Sequence, residues 1–273
     1  MDPSHHQPHG PSADPAATRP YPAKPLGDPA IAGATLRALG PPLRPQPSRV
    51  MLRPFVPAEN GSAGEGTKSR VERILERVLS LDPEQLRGEL TRVMATLSGR
   101  HTSVTSTLRQ RFRVLAEPHL GGRTATSDQQ LLVGACFTEE YSFEAAALFN
   151  PGVVMHPDQS GVPKGTARVI LSLRAVGEGH ISSISFRTAL FDGSSLQIAT
   201  PAPLAGSPKI ESIPGGEPND PGVRLTYSDA DDPSRIVIFP VTYAQRHGIE
   251  DLRLTRFVDD DGEQIYFGTC TAF

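Results

Sequence analysis

Hydrophobic positions follow three different patterns along this chain. Residues 1–66 hold much of the chain's 27 prolines, together with Gly, Ser and Ala, and show neither helical nor strand spacing. A segment of this composition cannot bury enough apolar surface to offset its ordering entropy. We therefore predict a disordered, Pro-rich N-terminal arm over residues 1–66.

Residues 67–126 have a helical pattern. Apolar residues recur there at three- and four-residue steps, beginning with Val71, Ile74, Leu75, Val78 and Leu79. Asp82 followed by Pro83 supplies an N-cap and a proline at the first helical position, so a second helix begins there and closes near Gly99. A third helix is predicted over 103–116. These stripes indicate core packing or helix pairing.

From residue 127 the pattern changes from helical to period two. Ser127 and Asp128 predict the start of another helix, and the Ala-, Leu- and Phe-rich stretch 131–149 continues it to Asn150. Seven short β-rich runs separated by Gly, Pro, Asp and Ser follow at 167–173, 181–190, 196–199, 223–227, 235–241, 252–258 and 264–271. Antiparallel strands at such spacing are typical of a sandwich, a barrel or a propeller.

Charge and composition exclude several classes of function. The net charge is -3 and the pI about 6.2, and the arginines are scattered among acids, so nucleic acid is not an expected partner. No run of eighteen apolar residues occurs, and the N-terminus lacks the regions of a signal peptide, so we expect no membrane partner and a cytoplasmic protein. Cys136 and Cys270 are far apart in sequence and are predicted to be reduced, buried thiols.

Two acidic runs invite a calcium interpretation. They are 229–232 (DADD) and 259–262 (DDDG), and neither has the full loop spacing with its closing glutamate. Hairpin turns are the favoured interpretation for both runs, and we predict no metal site.

Charged residues are densest in the strand-like run 247–257. Glu250 and Asp251 are adjacent carboxylates, with Arg253 and Arg256 close behind them. Neighbouring anions and cations set the proton affinity of a carboxyl group, which is how carboxylate-based glycosyl transfer obtains its general acid. The run therefore indicates a candidate proton donor.

Three motifs in this order resemble glycoside hydrolase family 130. They are ALFNPGVV from Ala147, LRAVGEGHISSISFR from Leu173 and GIEDLR from Gly248. That family contains inverting β-mannoside phosphorylases and β-mannosidases built on a five-bladed β-propeller. The resemblance covers roughly 127–273. It implies a mainly β chain: a disordered arm (1–66), a helical region (67–126) and the first blades of an incomplete propeller (127–273).

The resemblance also implies a role for single residues. Asp251 matches the general acid of the family's Glu-Asp-Pro-Arg motif, although Leu252 stands where proline is usual. In the phosphorylases this aspartate delivers its proton through the 3-hydroxyl of the sugar. Asn150 matches an asparagine at the sugar pocket, and Arg174 resembles an arginine that faces the sugar.

Two further residues, Glu250 and Arg253, flank the acid and are expected to orient it, which completes the implied substrate-binding set. Simpler interpretations stay open at this point. Glu250 and Asp251 also fit a solvated turn, Arg174 and Arg253 fit ion pairs between strands, and Asn150 fits a turn ahead of Pro151. Glu178 and His180, in a Gly-flanked loop, fit exposure without a role as well as substrate contact.

The implied function is cleavage of a β-mannoside oligosaccharide with inversion, by a truncated and impaired copy of the enzyme. No metal or organic cofactor is implied, and inorganic phosphate is a co-substrate only if the protein is a phosphorylase. The sequence does not separate hydrolysis from phosphorolysis. The alternative is a non-catalytic fragment that binds sugar or forms a homo-oligomer through its N-terminal helices.

Overall fold

The computed structural model describes residues 37–58, 68–217, 220–228 and 231–272. Its helices are α1 (Arg70–Leu79), α2 (Pro83–Ser98), α3 (Val104–Arg111) and α4 (Ser127–Cys136). Its strands are β1 (Val50–Pro54), β2 (Thr138–Ser142), β3 (Ala147–Met155), β4 (Ala167–Val176), β5 (Ser182–Phe191), β6 (Leu196–Ile198), β7 (Lys209–Glu217), β8 (Asp220–Thr226), β9 (Val237–Ile238), β10 (Ile249–Val258) and β11 (Gln264–Ala272).

The first two helices begin at side chains that satisfy their free N–H groups. The Ser69 hydroxyl accepts from the Glu72 backbone N–H, and the Glu72 carboxylate accepts from the Ser69 N–H. Asp82 caps α2 in the same way, with Pro83 at the first helical position. The two predicted helices and the predicted cap at Asp82 are confirmed, because these signals are local in sequence.

Helices α3 and α4 pack closely because of one glycine. A Cβ added at Gly134 would lie 2.0 Å from the carbonyl oxygen of Leu108. The third helix was predicted over 103–116; α3 ends at Arg111, and a π-helical turn continues over Phe112–Ala116. Phe112 and Phe137 join the buried core of the helical layer.

The helix predicted over 131–149 is wrong beyond residue 136. The chain leaves α4 at Cys136 and forms β2 and then β3. Strand β2 pairs with β1, and β3 pairs with β4. The Ala- and Leu-rich composition favoured a helix, but pairing with β1 and with β4 decided the outcome.

The largest sheet is antiparallel and five-stranded, in the order β3-β4-β5-β6, with β9 also paired to β5. Strands β4 and β5 pair along ten residues each. Three two-stranded sheets are formed by β1 with β2, β7 with β8, and β10 with β11. Ile249 and Leu252 of β10 pack on Ile184 and Phe186 of β5, which places β10 against the large sheet.

The predicted mainly β fold, a truncated five-bladed propeller, is wrong. The structure is 28% helical and 34% strand, with small antiparallel sheets beside a helical layer. Helices α1 and α2 share a buried core with α4, which the prediction had assigned to the strand-rich part. The described residues from Leu39 onward belong to one compact unit. The repeated strand signals were real, but strand spacing alone does not specify how sheets are arranged.

The structure also bears on the predicted arm, the two acidic runs and the two cysteines. Strand β1, at Val50–Pro54, lies inside the predicted arm, most of which falls outside the described residues. The run 259–262 forms the predicted hairpin turn, whereas 229–232 is only partly described. Cys136 and Cys270 are free thiols as predicted, but both are exposed instead of buried. Within the described ranges, no helix combines the length and apolar character needed to cross a bilayer.

Three buried charges join distant parts of the chain. The Arg49 and Arg187 guanidinium groups both donate to the Glu144 carboxylate, Arg187 through Nη2 at 2.7 Å to each oxygen. Arg49 also donates to the carbonyl of Ser234. All three charged side chains are buried. Burial lowers the pKa of Arg49 to about 10, so the group stays charged at neutral pH.

Replacing Glu144 with Gln should therefore destabilise the protein severely. The change leaves two buried guanidinium groups without a counter-charge, which costs about 3–5 kcal/mol of unfolding free energy. Urea unfolding measures this loss. The matched control is Glu139→Gln, because Glu139 pairs with Arg53 in a partly exposed position and should cost less than about 1 kcal/mol. Equal losses for the two variants would contradict the stabilising role of the buried pair.

His101 is a buried titratable group in the helical layer. Its side chain is inaccessible to solvent, and its Nε2 lies 3.4 Å from Oε1 of Glu140, which is also paired with Arg100. Burial lowers the pKa of His101, and the weaker attraction of Glu140 does not restore it. The folded protein therefore holds this imidazole neutral at a pH where an unfolded chain would protonate it.

Unfolding free energy should fall as the pH drops through about 6.5, because the unfolded chain then binds a proton that folded His101 does not. The slope for one such group is at most about 1.4 kcal/mol per pH unit. In His101→Gln this dependence should flatten between about pH 7.5 and 5.5, as measured by urea unfolding at each pH. His119→Gln, at an exposed histidine, should keep it. An unchanged slope in His101→Gln would refute the assignment.

Candidate functional site

Two β-bulges carry the polar residues of the candidate site. The β3–β4 register shifts between Phe149 and Gly152, and the β10–β11 register shifts between Glu250 and Arg253. Each bulge holds a non-glycine residue with positive φ, Asn150 at 51° and Asp251 at 54°. Asn and Asp enter this left-handed region more readily than other side chains. The bulges therefore redirect one amide and one carboxylate out of the strand alternation.

These two side chains meet. The Asn150 amide donates through Nδ2 to Oδ1 of Asp251 at 2.8 Å, across 101 residues of sequence. Asn150 is exposed and Asp251 half-buried, so the pair lies at the surface. The structure thus brings together the two residues that the sequence resemblance assigned to acid and sugar pocket.

Glu250 is neutralised by an adjacent cation. Arg174 forms an ion pair with it, and their side chains are 24% and 14% exposed. Arg174 Nε also donates to the Ser182 hydroxyl at 3.0 Å, and that hydroxyl donates to Glu250 at 3.2 Å. The Arg174 guanidinium lies 4.8 Å from the centre of the Phe149 ring, a cation–π contact. The interpretation of Arg174 as an ion-pair partner between strands is confirmed.

Arg253 binds backbone. Its Nη1 donates to the carbonyl oxygens of Asn150 at 3.2 Å and Pro151 at 2.8 Å. The sequence resemblance predicted that Arg253 binds substrate and orients the acid, and in the structure its guanidinium holds the β3 bulge. Arg253 is therefore a positioning residue for Asn150.

A close approach of β3 and β10 completes the site. The Ser172 hydroxyl on β4 donates to the Leu252 carbonyl at 2.8 Å. A Cβ added at Gly152 would lie 2.6 Å from that hydroxyl and 2.9 Å from that carbonyl oxygen. Only glycine fits at position 152 without displacing one of the strands.

The interpretation of 250–251 as a solvated turn is wrong, because both residues lie in β10 and are half-buried. Asn150 lies within β3 in a left-handed conformation ahead of Pro151, and its amide binds Asp251. Glu178 and His180 are exposed on the short connection between β4 and β5.

Sequence reasoning missed Phe149 and Ser182. Phe149 directly precedes Asn150, so an aromatic residue next to a candidate site residue was a usable signal in the sequence. Ser182 was indistinguishable from Ser183 until the strand register placed its hydroxyl between Arg174 and Glu250.

An apolar groove of about 500 Å³ begins beside the bulge of β3. Pro151 and Gly152 line it together with side chains of β4, β5 and β6. In the part of the chain that the structure describes, no group of three or more His, Cys, Asp or Glu side chains is arranged to hold a metal ion.

Replacing Gly152 with Ala should push β3 away from β10 and weaken the contact between Asn150 and Asp251. We expect a loss of about 1–3 kcal/mol in unfolding free energy, measured in urea. The Asn150 side-chain amide should also shift its NMR resonances. The matched control is Gly88→Ala in α2, where no atom lies within 4 Å of the added Cβ and helix propensity favours alanine. Wild-type stability in Gly152→Ala would contradict the packing argument.

Comparisons of this chain with protein-family models, with curated proteins and with solved structures found no match.

Proposed function

We propose that this cluster binds the sugar of a β-mannoside and that Asp251 donates the proton in its cleavage with inversion. The observation that carries the proposal is the hydrogen bond between Asn150 and Asp251. Two motifs about a hundred residues apart resemble the sugar pocket and the acid of one enzyme family, and the residues that carry the resemblance are in contact. The proposal rests on this cluster and not on the overall architecture.

The geometry leaves Asp251 one oxygen for chemistry. Because Oδ1 accepts the Asn150 amide, Oδ2 is the atom that would hold the transferable proton. The amide fixes the orientation of the carboxyl group, which a general acid requires for transfer to a glycosidic oxygen or to a sugar hydroxyl. The other N–H of Asn150 and its side-chain carbonyl can bind sugar hydroxyls.

Glu250 and Arg174 support the acid in different ways. Their ion pair places a neutralised carboxylate directly before Asp251, so Glu250 is not a free base. Arg174 is partly exposed and has further N–H groups to offer a sugar. In this proposal Arg174 binds substrate, while Glu250 fixes the guanidinium.

Inversion also needs a nucleophile on the opposite face of the sugar. In the hydrolase form this is a water activated by a base, and in the phosphorylase form it is inorganic phosphate as co-substrate. No organic cofactor takes part. The proposed location is the cytoplasm, which the free thiols Cys136 and Cys270 support.

One observation favours a second candidate, a non-catalytic sugar-binding module. Among the described residues of the cluster, Asp251 is the one carboxylate without a paired cation, and a two-carboxylate mechanism needs a second. A module of this kind would bind mannosides through Asn150 and Arg174 without cleaving them.

Turnover of β-mannobiose by the full chain tests the proposal. Mannose release is measured without phosphate, and mannose 1-phosphate release is measured with it. Asp251→Asn should lower kcat by about 10²- to 10⁴-fold, because the proton donor is lost while the hydrogen-bonding shape is kept. Asp260→Asn, in the exposed hairpin loop, is the matched control and should keep full activity.

Calorimetric titration with β-mannobiose separates the two candidates. Binding by the wild-type chain without turnover in either buffer would identify the sugar-binding module. Turnover that survives Asp251→Asn would remove Asp251 from the role of acid. If the wild-type chain shows no binding and no turnover, both candidates are rejected.

A further inference from the structure

Strand β11 has an open edge that lacks the usual protection. It pairs with β10 on one side, and no described strand pairs with its other side. Its nine residues, QIYFGTCTA, include no charged residue and no proline. An exposed edge of this kind presents free N–H and C=O groups to another strand.

The other described edge strands are each protected against pairing. A bulge, a charged residue, a proline or short length interrupts them. Examples are the bulge with Pro151 in β3, Pro54 in β1, Lys209 in β7, Arg224 in β8 and the three-residue length of β6. The contrast marks β11 as a surface for strand pairing.

The hairpin loop shows which groups face outward. The Asp259 N–H donates to the Glu263 carbonyl at 3.0 Å, and the Gly262 N–H donates to the Asp259 carbonyl at 3.0 Å, with Gly262 at φ 83°. This is a three-residue hairpin loop with a glycine bulge. Hydrogen-bonded and non-hydrogen-bonded residue pairs alternate along the hairpin from this loop. The backbone N–H and C=O groups of every second residue of β11 therefore point away from β10, namely those of residues 264, 266, 268, 270 and 272.

We propose that β11 pairs antiparallel with β11 of a second copy of this chain, around a two-fold axis at Gly268. This register uses the whole strand and forms roughly ten backbone hydrogen bonds. The inference is independent of the proposed function, because it uses none of the residues of the site.

The sequence of β11 favours a second copy over an unrelated strand. Large residues precede Gly268 and small residues follow it, so two-fold pairing places large opposite small. Phe267 lies opposite the partner's Thr269, and Tyr266 opposite the partner's Cys270. Aromatic and β-branched residues are favourable cross-strand pairs, and a strand without charge meets no like charge in its copy.

The same pairing would also bury part of the exposed aromatic face of the hairpin. Phe257 is 50% and Phe267 61% exposed, and their rings contact edge to face at a centroid distance of 6.0 Å. In the proposed register the two Phe267 rings of the dimer are diagonal neighbours. Four aromatic rings then form one apolar surface across the two-fold axis.

Sedimentation equilibrium of the full chain tests this dimer. The wild type should be dimeric, and Thr269→Lys should raise the dimer Kd roughly tenfold or more, because each substitution acts twice across the axis. The matched control is Thr255→Lys, which introduces the same charge on the same face, but on β10 away from the open edge. A monomeric wild type, or equal effects of the two variants, would overturn the proposal.

Disulfide trapping tests the register without destabilising the hairpin edge. In a Cys136→Ser and Cys270→Ser background, the pair Ile265→Cys and Thr271→Cys should cross-link two copies under oxidation, because these positions lie opposite each other. Ile265→Cys with Thr269→Cys is out of register and should stay monomeric in denaturing gels. Cross-linking of the second pair but not the first would overturn the register.

Discussion

The buried contact of Arg49, Glu144 and Arg187 is the constraint on which the large sheet depends. It joins the segment before β1, the connection from β2 to β3, and the middle of β5, while Arg49 also reaches the carbonyl of Ser234. Two guanidinium groups and one carboxylate leave the interior with an excess positive charge. Buried charges are tolerated only where they are paired and hydrogen-bonded, and the terminal nitrogens of Arg49 and Nη2 of Arg187 all donate to Glu144 or Ser234. Strand β3 starts three residues after Glu144, so the buried contact of Glu144 also determines where β3 begins.

From that fixed start, β3 reaches its bulge where β10 crosses it. Two short strained segments, each with one residue in the left-handed region, face each other across the gap. Arg253 and Ser172 bind backbone carbonyls on either side, and Gly152 leaves the space that they need. Asp251 and Asn150 are therefore in contact because of the backbone geometry. The ion pair of Arg174 with Glu250 lies directly beside them. Strain held by surrounding hydrogen bonds is common where side chains must be aimed at a ligand.

The same hairpin serves two surfaces. Its bulged end carries Asp251 and packs on the large sheet, and its far end presents Phe257, Phe267 and the free edge of β11. The β10–β11 pairing continues on both sides of the bulge, to Glu250 and Ile249, and β11 carries no charged residue. One supersecondary unit therefore carries both the candidate site on β10 and the edge of β11 proposed for pairing.

The sequence by itself determined the local elements: the capped starts of α1 and α2, the strands β4 and β5, and the turn at 259–262. These depend on residues a few positions apart, so periodicity and capping signals are sufficient. Through a family resemblance it also predicted that Asn150 and Asp251 belong to one site, and these two side chains are in contact. Only the tertiary structure decided that Thr138–Ser142 and Ala147–Met155 form strands, that the helices share a core with α4, and that Arg253 binds backbone. Those outcomes depend on tertiary partners outside the local segment, and burial and strand pairing outweigh local propensity when such partners are available.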